Sequence, residues 1–200
     1  SSSGKTTTAH LLQRELGKLG VRAEIVSLDD FYLGPDKTPV LPNGEKDYET
    51  VDALDIALIQ DCLNSVIHSG SCLLPEYDFT TKTRTLAARK LDVSDRGFVI
   101  MEGLHALNPI FTRDLPEGST IKLYVSVKQQ IKDINGEVIS PMDIRLVRRI
   151  SRDIRSRDTM PERTIAMWDN VVAGEDKYIR PYRLSADYTV NSIHIYEPCV

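Results

Sequence analysis

The run Phe98-Val99-Ile100-Met101, closing on Glu102-Gly103, constrains this chain most. Four consecutive apolar residues without polar alternation read as a strand buried on both faces of a parallel sheet. Parallel strands need long crossovers, normally helical, and the rest of the chain supplies them. Val21 to Leu28 and Ile121 to Val127 read as further strands, and Tyr188-Thr189-Val190 as a last short one. Cys72 to Leu74 is a short apolar run, followed by a polar stretch over 80–90. Helical spacing of apolar residues marks 4–19, 52–68, 142–157 and 161–179, with Asp52 as the N-cap of the second. Residues 33–48, rich in Gly and Pro, read as a loop. The expected fold is α/β: a parallel sheet flanked by helices, as one domain over 1–200.

In such sheets ligands bind beyond the carboxyl ends of the strands. Asp29, Asp30 and Glu102 stand there. Successive residues point to opposite sides, so of Asp29 and Asp30 one should face the cleft and the other should cap or face solvent.

The chain opens Ser1-Ser2-Ser3-Gly4-Lys5-Thr6-Thr7 and runs straight into the first helix. This matches the end of a phosphate-loop pattern. Small residues let the backbone approach a phosphate closely, and the helix N-terminus adds unpaired N–H groups and a positive dipole end. Lys5 would reach the terminal phosphates, and the Thr6 hydroxyl would ligate Mg2+. The strand that should feed this loop is not in the sequence. The chain therefore reads as a segment of a larger protein, joined to further domains.

Asp29 is suited to orient an acceptor hydroxyl and take its proton, or is one of two solvated acids. Glu102 suits a magnesium ion through its waters, or a salt bridge to Lys5 or an arginine. Gly103 suggests a close chain approach. Residues 145–157 carry Arg145, Arg148, Arg149, Arg152, Arg155 and Arg157. They suit a mobile lid over about 142–163 that neutralises a transferring phosphoryl group; a solvated helix face and a nucleic-acid contact are the other readings. Phe31, Tyr32, Tyr77 and Phe79 could stack on a base, although each alone reads as packing.

Composition narrows the partners. With 25 Lys+Arg against 29 Asp+Glu, the net charge of −4 argues against a general nucleic-acid binder. No stretch is long and apolar enough for a membrane helix, and no signal peptide is visible. Cys62, Cys72 and Cys199 form no C-x-x-C pair, and the four histidines are scattered, reading as surface or packing residues. A reducing cytoplasm fits; a homo-oligomer is compatible.

Six blocks in register resemble the uridine kinase branch of the phosphoribulokinase/uridine kinase family. They are SSSGKTT, LDDFY at 28–32, VDALD at 51–55, PEYDF with Arg84 at 75–84, IMEG at 100–103, and RRISRD with Arg157 at 148–157. The resemblance extends to about Ser192. It implies a P-loop fold, MgATP as donor, and a nucleoside 5′-hydroxyl (uridine- or cytidine-like) or comparable alcohol as acceptor. It implies Asp29 as catalytic carboxylate, with Lys5 and Arg152 beside it, and Ser1 to Thr7 with Arg148 and Arg157 on ATP. Thr6 and Glu102 would serve the metal, and Asp29, Tyr32, Glu49, Tyr77, Lys82 and Arg84 the acceptor. Three positions depart from the family pattern. Glu49 replaces an aspartate, Lys82 replaces a histidine with a charged donor, and Arg157-Asp158-Thr159 stands for R-G-R. The alternatives are a kinase of another hydroxyl metabolite and a nucleotide-binding regulatory module without turnover.

Overall fold

Strand β1 (Ala23–Ser27) lies parallel to β4 (Phe98–Glu102), with Ala23 opposite Phe98 and Ser27 opposite Glu102. That register brings the two carboxyl ends level, in a computed structural model that describes residues 2–93, 97–128 and 130–193. Helix α1 (Lys5–Lys18) packs on both strands. A second parallel pair joins β5 (Leu123–Ser126) to β8 (Tyr188–Asn191). Between β4 and β5 lies a cavity of about 110 Å³, walled by Ile100 and Met101 on one side, Leu123 and Val125 on the other, and Ala9 and Leu12 of α1. The expected parallel α/β architecture is present. The expected double-sided burial of β4 is only partial, because Phe98 is 51% exposed and Ile100 and Met101 border that cavity.

The stretch around 71–92 corrects the sequence reading. A strand β2 (Ser71–Asp78) continues through Pro75 and pairs antiparallel with β3 (Thr83–Asp92), which occupies the polar stretch. The register shifts between Leu74 and Glu76, where Pro75 has no N–H to give the ladder. β3 is exposed along most of its length, so it carries no apolar signature until buried Leu91. Two further short strands, β6 (Ile131–Lys132) and β7 (Val138–Ile139), form a second small hairpin.

Helix α2 (Ile56–Ser69) starts later than expected. Its N-cap is Asp55, whose carboxylate accepts from the Leu58 N–H at 3.1 Å. Asp52 lies instead in a preceding 3-10 turn capped by Thr50. Helix α3 (Pro141–Ser156) has the strongest start signal: Ser140 and Asp143 cap one another's backbone, with Pro141 in the first turn. The expected helix over 161–179 is two, α4 (Pro161–Ala166) and α5 (Trp168–Tyr178), broken at Met167. The core gathers Leu28, Phe31, Ile59, Leu74 and Leu91 between β1, α2 and the β2–β3 hairpin.

Candidate active site

The carboxyl ends of β1 and β4 open into a cavity of about 200 Å³. Lys5, Thr6, Asp29 and Glu102 line its floor. Tyr32, Tyr48, Tyr77 and Phe79 form one wall, and Arg149, Arg152, Arg157 and Met167 the other, with Glu49 and Lys82 at its margins.

The floor follows from the loop before α1. Ser2 and Gly4 both have left-handed backbones, at φ 54° and 83°. A Cβ at Gly4 would also lie a tight 3.1 Å from Ser192 Cβ, so the left-handed backbone, more than the space, favours glycine there. Strain of this kind is typical of ligand-holding turns. The Ser2 hydroxyl is buried without a partner, and the Ser3 carbonyl accepts from the Ser192 hydroxyl. Ser1 lies outside the described residues. Thr7 is exposed.

Lys5 is half-buried beside two carboxylates. Burial holds its ammonium below the usual lysine range, while Glu102 and Asp29 pull the other way. The Thr6 hydroxyl donates to Glu102 Oε1 at 3.0 Å, and the Ser27 hydroxyl donates to the same oxygen at 3.2 Å. Glu102 thus ties the loop to both strand ends. Three oxygen-bearing side chains in contact are the hard donor set that suits magnesium, so the residues fit the ion.

Asp29 lines the cavity, whereas Asp30 is half-buried, accepts from the Tyr77 backbone N–H, and is pushed up by burial. Asp29 thus faces the cleft, but not through strand alternation: β1 ends at Ser27, both acids lie in a 3-10 turn over Leu28–Phe31, and Asp30 is held against the hairpin rather than facing solvent. Gly103 is held by contact: a Cβ there would fall 2.6 Å from Leu28 Cβ, next to Asp29.

The aromatic wall is both core and lining. Tyr32 and Tyr77 are 6% exposed. Tyr32 stands 5.8 Å from Tyr48, 5.7 Å from Tyr77 and 6.0 Å from Phe79, and its hydroxyl donates to the Tyr48 carbonyl. Burial raises the Tyr32 phenol well above its ordinary range. Lys82 reaches the margin from the hairpin turn with φ 56°, and the Asp78 carboxylate braces that turn by accepting from the Thr80 and Thr81 N–H groups. Arg84 does not line the cavity. It pairs with Asp55 at 3.0 Å, bracing the hairpin against the start of α2.

Helix α3 divides its arginines. Arg148 donates to the Ser192 carbonyl at 2.8 Å, beside Gly4. Arg145 pairs with Glu175 and lies 5.8 Å over the half-buried Trp168 ring. Burial raises the Glu175 carboxyl, but the Arg145 hydrogen bond and charge prevail and hold it low. Asp153 is the hub. It meets Arg149 Nε at 3.3 Å and Arg152 at 2.7 Å, and accepts from the Thr164 hydroxyl at 3.2 Å. Arg149 also faces Glu49 at 3.9 Å. Burial pushes the Glu49 carboxyl up against the pull of Arg149. Arg157 closes the helix, 3.5 Å from Asp29 and 4.4 Å over the Phe79 ring. Asp158 then takes the left-handed turn at φ 46°, ordinarily a glycine or asparagine position.

Sequence reasoning missed Arg149 as a lining group, Asp153 and Tyr48. It also treated His105 as ordinary. That ring is 3% exposed, neither nitrogen makes a hydrogen bond of full geometry although the Glu49 backbone lies against it, and it stands 6.1 Å from the Tyr178 ring. Burial lowers its pKa to about 4.

Comparison with known proteins agrees with the fold. The uridine kinase of Lactobacillus helveticus (strain DPC 4571) is 29% identical over 191 residues, covering 95% of this chain and 82% of the relative. A proposed fructose transport system kinase from Silicibacter sp. TM1040 superimposes with a TM-score of 0.66 at 20% identity, over 94% of this chain and 84% of that one. A possible uridine kinase from Bacillus stearothermophilus does so at 0.59 and 20% identity, over 94% and 83%. The model of the Phosphoribulokinase / Uridine kinase family matches residues 1–196, and the chain belongs to that family of phosphotransferases.

Proposed function

We propose that this protein transfers the γ-phosphoryl group of ATP to the hydroxyl of a small molecule, taken to be a nucleoside 5′-hydroxyl. The observation that carries the reading is one cavity that Lys5, Thr6, Glu102 and Asp29 line together with the aromatic wall. In the transfer, the acceptor oxygen bonds to the γ-phosphorus as the bond to the β,γ-bridging oxygen breaks. ADP leaves with that electron pair, and the hydroxyl proton passes to Asp29. Lys5 and the first-turn amides of α1 hold the donor's phosphates, and Arg152, clamped by Asp153, faces the developing charge. A magnesium ion held by Thr6 and Glu102 would offset charge on the phosphate oxygens.

Tyr77 and Phe79 suit a flat ring, and Glu49 suits ribose hydroxyls. Lys82 favours a second reading, a different hydroxyl metabolite with acceptor groups facing that ammonium. The test is an ADP-release assay with a panel of nucleosides, sugars and acidic alcohols. Saturable turnover with a pyrimidine nucleoside supports the first reading, and turnover confined to another alcohol supports the second. ATP binding without turnover on any acceptor overturns both in favour of a nucleotide-binding module. Among the described residues, no helix is long and apolar enough to cross a membrane.

A further inference from the structure

Arg157 occupies ground that an acceptor needs. Its guanidinium lies 4.4 Å over the face of Phe79 and 3.5 Å from Asp29 Oδ2, bridging the aromatic wall and the carboxylate. Its place is fixed from behind. The Arg157 N–H donates to the Asp153 carbonyl at 3.1 Å, Thr159 N–H donates to the same oxygen at 3.2 Å, and the chain turns back through left-handed Asp158. With Arg157 seated, Asp29 carries a countercharge on the oxygen that must receive a proton, and the ring face is covered. An incoming acceptor with a flat or apolar body displaces the guanidinium from Phe79 and brings its hydroxyl to Asp29. Water has no such body and cannot compete for the ring.

We infer that Arg157 is a specificity-determining residue that restrains phosphoryl transfer to water until an acceptor displaces it from Asp29 and Phe79. The inference rests on the reading of Asp29 as the proton-accepting carboxylate. The restrained side reaction forms a bond from a water oxygen to the γ-phosphorus and breaks the bond to the bridging oxygen. ADP departs with the electron pair, the water proton goes to Asp29, and the products are ADP and inorganic phosphate.

The test compares phosphate release from ATP without acceptor with transfer to an acceptor, in the wild type and in Arg157→Gln. Acceptor-free hydrolysis is expected to rise about tenfold in the variant, while transfer does not rise. Arg157→Lys keeps the charge and loses the planar stack, so its hydrolysis should fall between the two. Adding Asp29→Asn to Arg157→Gln should return hydrolysis to the wild-type level. Hydrolysis that is unchanged in Arg157→Gln, or that falls in step with transfer, overturns the inference and leaves Arg157 a plain phosphate ligand. Hydrolysis that stays high in the double variant overturns it as well. The gate is read on hydrolysis alone, so a wild type that phosphorylates no acceptor in the panel counts against the proposed function instead.

Discussion

Thr6 and Glu102, 96 positions apart in the chain, meet at 3.0 Å where the first helix begins and the fourth strand ends. The contact welds the phosphate-side loop to the sheet. Expectations for both residues follow from it. Glu102→Gln keeps the shape and an acceptor oxygen but loses the charge. It should leave the melting temperature nearly unchanged and raise the magnesium concentration needed for half-maximal turnover by about tenfold, a loss of about 1.4 kcal/mol. A magnesium titration of turnover checks this; an unaltered titration removes Glu102 from the metal.

Asp29→Asn should lower turnover by about 100-fold or more, the range for a lost general base, and leave ATP affinity intact by calorimetry. Lys5→Ala should do the reverse for binding, weakening ATP affinity as well as turnover. Equal turnover in Asp29→Asn and wild type would falsify the assignment of that carboxylate.

Asp153→Ala should be severe for stability. It leaves the Arg149 guanidinium, whose side chain is 7% exposed, with only Glu49 at 3.9 Å among the described residues. Removing one partner of a buried pair costs about 3 kcal/mol or more, which is a fall of roughly 10 °C in a domain of this size. Asp153→Asn keeps an acceptor for Thr164 and should cost less. Thermal melts of the two variants rank them.

His105 should make stability depend on pH. Its folded pKa of about 4 lies below the unfolded value near 6.5, so between these limits the unfolded chain binds the extra proton. The contribution is complete above about pH 6.5 and is lost as pH falls toward 4; the full difference corresponds to about 3 kcal/mol. His105→Phe should flatten the melting profile in that window. An identical profile in both proteins contradicts the burial argument.

Gly103→Ala should destabilise by about 1–3 kcal/mol, because the new methyl meets Leu28 at 2.6 Å. Leu28 precedes Asp29, so turnover should fall further than the melt alone explains. Activity measured well below the melting temperature separates the two effects.

The sequence made the parallel strands, the phosphate-side loop and the Asp29/Asp30 pair legible because each is written locally. Gly4-Lys5-Thr6 runs into its own helix, and Phe98 to Met101 is apolar without interruption. Strand β3 was not legible, since its residues face solvent and its partner carries a proline. The contacts of Arg149, Arg157 and Asp153 were hidden for another reason. Six arginines in thirteen residues look alike in sequence, and only packing against Asp29, Glu49 and Thr164 tells which faces the cavity. His105 gave no signal at all, because its burial is a property of the folded environment.

The β2–β3 hairpin pairs, among the described residues, only with itself, yet it brings Tyr77, Phe79 and Lys82 to the cavity. Its backbone ladder is thus distinct from the one that ends at Ser27 and Glu102, and side chains join the two: the Asp30 carboxylate accepts from the Tyr77 N–H, and Arg89 donates to the Ile25 carbonyl at 3.2 Å. Under the proposed function, substitutions at Tyr77, Phe79 or Lys82 act on the acceptor from a ladder of their own, while the strands that end at Ser27 and Glu102 keep their pairing.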